Sequence, residues 1–178
     1  MTDGHSEQDV IREAKAGDNM AYEYLLRPNL MPAARLARTL LGNQNEAEDA
    51  VQEAAVQGWR KLGNLREGMP FQPWFLGIVV RQVRTIQRAP WWRVIRLPEL
   101  PIQPGASVEP WLDGEALRHA VRNLPQLQRE AVLLHFYLDL SIADVAVALG
   151  LSAAGVKSRI NRALRRLRAD ISSSEVTA

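Results

Sequence analysis

Apolar residues along this chain recur at spacings of three and four almost throughout, and no stretch shows the two-residue alternation of a half-buried strand. The pattern predicts an all-α protein. Up to about Arg88 it defines four helices. The first covers roughly Glu7 to Ala16 and stops at Gly17. Asp18 caps the second, which holds Tyr22, Leu25 and Leu26. Pro28 and Pro32 are expected to disturb it before a continuation with Leu36, Ala37, Leu40 and Leu41 ends at Gly42. The third, near Glu46 to Leu62, sets Ala47, Val51, Ala55, Trp59 and Leu62 along one stripe. Its other side shows Glu46, Glu48, Asp49, Gln52, Glu53 and Arg60. A loop with Gly63, Asn64, Gly68 and Pro70 leads to the fourth helix, where Pro73 suits the first turn. Phe75, Ile78, Val79, Val83 and Ile86 form its apolar face, and Arg81, Arg84 and Arg88 a basic stripe on another side.

Between Ala89 and Glu115 the periodicity stops. Pro90, Pro98, Pro101, Pro104 and Pro110, with Gly105 and Gly114, forbid a continuous helix. The segment reads as a proline-rich linker between two small helical domains. Trp91, Trp92, Arg93, Ile95 and Arg96 open it, and such side chains call for a surface to pack on. The expected division is a first domain over 1–89, linker 90–112, a second domain over 113–172 and a disordered tail over 173–178.

In the second domain, Leu117, Ala120, Val121 and Leu124 predict a helix ended by Pro125. Another follows, with Leu127, Ala131, Val132 and the run Leu134 to Tyr137. Ser141 then caps a short helix, with Asp144 three places on. Ile142, Val145, Ala146 and Leu149 give it one apolar face. Gly150 supplies a left-handed turn position, Leu151 a core plug, and Ser152 the cap of the next helix. That last helix buries Val156, Ile160, Ala163 or Leu164, and Leu167. The sum is a helix-turn-helix pattern. Its second helix would lie in a DNA major groove, with Lys157, Ser158, Asn161, Arg162 and Arg165 pointing outward.

Charge sharpens this picture. The net charge is only +2, and through Arg88 11 basic residues face 11 acidic ones. Between Lys157 and Arg168, however, six cations stand without an acid, which points to an anionic partner at one place. Lys and Arg can donate to guanine O6 and N7, Asn can pair with adenine, and Ser is permissive. Arg166 and Arg168 suit phosphates or an acidic protein surface. A length of 178 residues, 47% hydrophobic, suffices for two modest cores. No apolar run is long enough for a membrane span, and the N-terminus lacks the pattern of a secretory signal. With no cysteine, a reducing cytoplasm is the expected compartment. His5, His119 and His135 lack metal-ligand spacing, and no phosphate-binding or nucleophile motif occurs. No enzyme activity, metal or cofactor is therefore expected.

Two segments together carry a resemblance to a known family. Leu124-Pro125-Gln126-Leu127-Gln128-Arg129-Glu130-Ala131-Val132, Leu140-Ser141-Ile142-Ala143-Asp144-Val145-Ala146 and Val156-Lys157-Ser158-Arg159 resemble region 4 of bacterial extracytoplasmic-function sigma factors, of the sigma-70 family. Ala47-Glu48-Asp49-Ala50-Val51-Gln52-Glu53 to Trp59, then Phe71-Gln72-Pro73-Trp74-Phe75, resemble region 2, and Ala16-Gly17-Asp18 its usual opening. The resemblance spans nearly the whole chain in order. It implies a factor that binds core RNA polymerase and directs it to promoters. Glu48, Asp49, Gln52 and Glu53 would meet the clamp helices of the largest subunit, and region 4 would also meet the flap. The loop Asn64 to Phe71, with Arg66, Phe71, Arg81, Arg84 and Arg88, would capture melted –10 DNA. Phe71 and Trp74 have a competing role in the core. Lys157, Ser158, Arg159, Asn161, Arg162 and Arg165 would read the –35 duplex. Short members of the family commonly have an anti-sigma protein as a further partner.

Two departures bear on specificity. Arg81 stands where many relatives carry Asn, which implies different –10 contacts. Ala154-Gly155 replaces the more usual Gly-Thr, which implies a less well-formed start to the recognition helix. The alternative is a stand-alone helix-turn-helix regulator, which would leave the acidic helix and the loop before Phe71 without a purpose.

Overall fold

The computed structural model describes residues 6–89 and 115–176, with the side chains of 117–170 in the second stretch; the proline-rich segment with Trp91 and Trp92 lies outside them. The chain divides into two compact units, Met1–Ile102 and Gln103–Ala178. Among the described residues every regular element is helical.

In the first unit, α1 (Glu7–Lys15) opens on a capping box. The Ser6 hydroxyl accepts from the Asp9 amide, and the Asp9 carboxylate accepts from the Ser6 amide. α2 (Asn19–Leu41) is capped by Asp18, which accepts from Met20 and Ala21, and ends at Gly42 with φ of 73°. The break expected at Pro28 and Pro32 does not occur. Pro28 is exposed and Pro32 only half-buried, so water can satisfy the carbonyls they deprive of donors. The buried Asn29 amide also donates to the Leu25 carbonyl at 2.7 Å. α2 is one helix.

α3 (Gln44–Lys61) starts at an Asn43 cap and buries Ala47, Ala50, Val51, Ala54 and Gly58. Its core stripe is thus rotated from the expected one: Ala55 is half-buried and Trp59 lies on the flank, 36% exposed. Small residues set the rotation. A Cβ on Gly58 would stand 2.5 Å from the Tyr22 hydroxyl, so only glycine admits α2 this close. α4 (Phe71–Arg88) buries Phe71, Phe75, Leu76, Val79, Val80 and Val83 almost completely. α2, α3 and α4 pack on one another, and α1 lies against α2.

The second unit is built on its last helix. α5 (Glu115–Asn123), α6 (Gln126–Val132) and α7 (Ile142–Leu149) all pack against α8 (Ala153–Val176). A π-helical turn, Leu133–Tyr137, extends α6, and Asp139 reverses the chain in a left-handed conformation with φ of 54°. Aspartate tolerates that geometry better than most residues. Leu133, Leu134, Val145, Val156 and Ala163 form the centre of the core. α8 continues through residues 173–176, where a tail was expected, because no Pro or Gly after Gly155 interrupts it.

Candidate nucleic-acid and partner interfaces

The helix-turn-helix is assembled from bonds between near neighbours. The Asp144 amide donates to the Ser141 hydroxyl at 3.1 Å, and that hydroxyl donates to the Asp144 carboxylate at 2.6 Å. α7 ends in a Schellman motif: Leu151 N–H bonds to the Ala146 carbonyl and Gly150 N–H to Val147, with Gly150 at φ of 65°. The Ser152 hydroxyl then accepts from Gly155 N–H at 3.1 Å and starts α8. The recognition helix therefore begins in order despite Ala154-Gly155, which corrects the expectation of a poorly formed start.

Burial of Val156, Ile160, Ala163 and Leu167 fixes the rotation of α8 and chooses Ala163 over Leu164 for the core. Lys157, Ser158, Asn161, Arg162, Arg165, Arg166 and Arg168 are exposed. Arg162 folds back so that Nε donates to the Ser158 carbonyl at 3.2 Å. Arg159 also turns toward a carbonyl of its own helix, that of Gly155, and differs from the others in being half-buried.

In the first unit, Glu48, Asp49, Gln52 and Glu53 lie exposed along α3. Gln44 donates to Glu48 and Gln57 to Glu53, each at 2.9 Å, so glutamines bracket the acidic stripe. On α4, Arg81 and Arg88 are exposed and Arg84 half-buried. Partial desolvation, then the neighbouring charge of Arg84, lowers the Arg81 pKa from its usual value. The guanidinium stays charged, and two cations set this close favour an anion between them.

The loop between α3 and α4 has a different construction. A short 3₁₀ turn, Leu62–Asn64, leads to Leu65, which is buried, and to a tight turn in which Met69 N–H bonds to the Arg66 carbonyl. Gly68 takes φ of 76°, as the third position of a type II turn requires. Asn64, Arg66 and Glu67 project outward. Three side chains of α1 hold the backbone from the other side. Gln8 accepts from Gly68 N–H at 3.0 Å and donates to the Met69 carbonyl at 3.1 Å. Glu7 accepts from Phe71 N–H at 3.2 Å, and Lys15 donates to the Leu65 carbonyl. Nothing in the spacing of Glu7, Gln8 and Lys15 connects them to a segment 50 to 64 positions away, so the sequence pattern does not show these supports.

Phe71 needs a correction. Its ring is wholly buried, stacked on Phe75 at 5.7 Å between centroids and edge-on to Tyr22 at 6.0 Å. It anchors the loop and cannot offer a face to a base. Trp74 stands half-buried beside it at 5.6 Å.

Comparison with known proteins matches two family models, Sigma-70 region 2 over residues 25–93 and Sigma-70, region 4 over residues 114–167. The chain is 31% identical to the ECF RNA polymerase sigma factor SigM of Mycobacterium tuberculosis, over 91% of this chain and 83% of that protein. It is 30% identical to the RNA polymerase sigma-E factor of Streptomyces avermitilis, over 91% of each. This chain belongs to the extracytoplasmic-function sigma factors. The fold agrees: CnrH, solved in complex with the cytosolic domain of CnrY, superposes with a TM-score of 0.71 at 21% identity, over 94% of this chain and 97% of that one. As a sigma factor it directs transcription initiation by RNA polymerase at promoters. The region 2 match removes the stand-alone regulator, since that alternative accounted only for the second domain. No described helix is long and apolar enough to cross a membrane.

Proposed function

We propose that this sigma factor divides its work among three surfaces, with region 2 over residues 1–89, a linker over 90–112 and region 4 over 113–172. The exposed α3 stripe of Glu48, Asp49, Gln52 and Glu53 binds the clamp helices of core polymerase. Region 4 contacts the flap and reads the –35 duplex through Lys157, Ser158, Asn161 and Arg162, with Arg165 at the backbone. Arg159 and Arg162, each turned to a carbonyl of its own helix, swing out to reach DNA, and the half-buried Arg159 has the farther to go. The loop side chains Asn64, Arg66 and Glu67 meet melted –10 bases while Arg81, Arg84 and Arg88 hold the phosphates. All bond-making belongs to the polymerase, so the sigma factor needs no catalytic group or cofactor. Its place of action is the cytoplasm. RpoE of Bartonella quintana, with a TM-score of 0.65 and 24% identity over 85% of this chain and 96% of that one, is solved in complex with the anti-sigma factor NepR. A regulator of that kind is proposed here too.

One observation carries the base-reading assignment. Val156 and Ile160 are buried, so the residue types that pair with base edges share the open face of a capped recognition helix. The test is transcription by the cognate core polymerase plus this chain on a promoter library. Lys157→Ala or Arg162→Ala should relax preference at individual –35 positions, each by about 1–3 kcal/mol. Equal loss on every variant promoter would contradict base reading. Gln52→Ala with Glu53→Ala should abolish co-purification with core enzyme while leaving helix content intact; undiminished co-purification would remove the clamp assignment.

A further inference from the structure

The first helix has no part in the functions assigned so far, yet it makes four side-chain bonds to the backbone of one loop. Gln8 satisfies both the Gly68 amide and the Met69 carbonyl, as a neighbouring strand would. Glu7 bonds the Phe71 amide, the first residue of α4, whose N-cap position is Pro70 with no side-chain cap. A carboxylate there answers both an orphan donor and the positive end of the helix dipole. Lys15 fixes the other end of the loop at Leu65. Between Glu7, Gln8 and Lys15 the buried Ile11 presses the same face of α1 into the unit. The bonds fall at Leu65, Gly68, Met69 and Phe71, and the outward residues Arg66 and Glu67 lie between the first two.

We infer that α1 is a positioning element for –10 selectivity: Gln8, with Glu7 and Lys15, holds the α3–α4 loop in the one backbone shape from which Arg66 and Glu67 can discriminate a base. The inference rests on the loop reading proposed above. None of the three α1 residues need touch DNA. Their effect is conformational, since a loop free to sample several shapes meets every base about equally, and discrimination requires a site already formed. Only the part of this restraint that the four bases feel differently appears as selectivity, so losing the Gln8 pair should cost about three- to tenfold in the base ratio.

The full chain is tested with its core polymerase on promoters carrying each of the four bases at every –10 position. Gln8→Ala should reduce the ratio between preferred and disfavoured bases about three- to tenfold at the captured position. Its –35 preference and affinity for core enzyme should stay at wild-type values, because Gln8 lies on neither surface and alanine keeps α1 helical. Lys15→Ala should act in the same direction, and Lys15→Arg, which keeps a donor, should restore the ratio. Arg66→Ala and Glu67→Ala run in parallel. If these two alter the base ratio and Gln8→Ala does not, α1 has no positioning role while the loop reading survives. If neither loop variant alters it, the loop reading fails and the inference falls with it. A Gln8→Ala loss spread equally over –10, –35 and core binding also overturns it, as the sign of a general structural defect.

Discussion

The helix-turn-helix of the second unit and the α3–α4 loop of the first are both turns between two helices, yet they are held in opposite ways. Every bond that shapes the first turn joins residues within five positions of each other: Ser141 with Asp144, Leu151 with Ala146, Ser152 with Gly155. The loop has a local turn of its own, Met69 N–H to the Arg66 carbonyl, but is also tied down by partners 50 to 64 positions away on α1. A locally determined turn keeps its form whatever the rest of the chain does. A loop fastened from outside can be altered by a change in its support, without a change in its own sequence.

The largest effect that probes this contrast is expected at Phe71. Phe71→Ala should destabilise the first unit by about 3–5 kcal/mol, because it empties the centre of an aromatic cluster. Chemical denaturation measures it. A stable variant with a selective –10 defect would show instead that the ring serves DNA. Next is Tyr22, which donates to the Ala55 carbonyl at 2.6 Å and is pushed up to about 12 by burial. A phenol with a raised folded pKa retains its proton when the unfolded chain would lose it. Stability should therefore fall as pH rises from about 10 to 12, by about 1–2 kcal/mol after allowance for screening, and Tyr22→Phe should abolish that slope.

Gly58 sharpens the same point. Gly58→Ala should cost about 1–3 kcal/mol through collision with the Tyr22 hydroxyl. Adding Tyr22→Phe should recover part of the loss in thermal melts, and strict additivity of the two changes would refute the contact. The smallest effect belongs to the local turn. Ser152→Ala should cost about 1 kcal/mol of stability and leave the –35 preference unchanged, since Gly150 and the α7 cap still set the turn.

The same contrast explains what could be read from the sequence. Caps, the turn glycine and the burial period of α8 are written in adjacent residues, so the helix-turn-helix was legible down to Val156 and Ile160. The acidic stripe of α3 was legible too, because a helix face follows from its period. Reading failed where tertiary packing decides. Pro28 and Pro32 proved compatible with one long α2 because they sit away from the core, a fact that needs the neighbouring helices. Trp59 gave up the α3 core stripe to Gly58, because Tyr22 needs that space. Phe71 carried two readings, and only its burial among Tyr22, Trp74 and Phe75 chose between them. Gln8 carried no sign of its role at all.

The most direct test maps start sites made by core polymerase with this chain on a library varied in both promoter elements. Wild type should give discrete starts that depend on both elements. Arg162→Ala should relax dependence only at positions near –35, Arg66→Ala only near –10, and the double variant should show the sum of the two. Starts unaffected by adding the chain, or two variants that lose the same positions, would contradict the account.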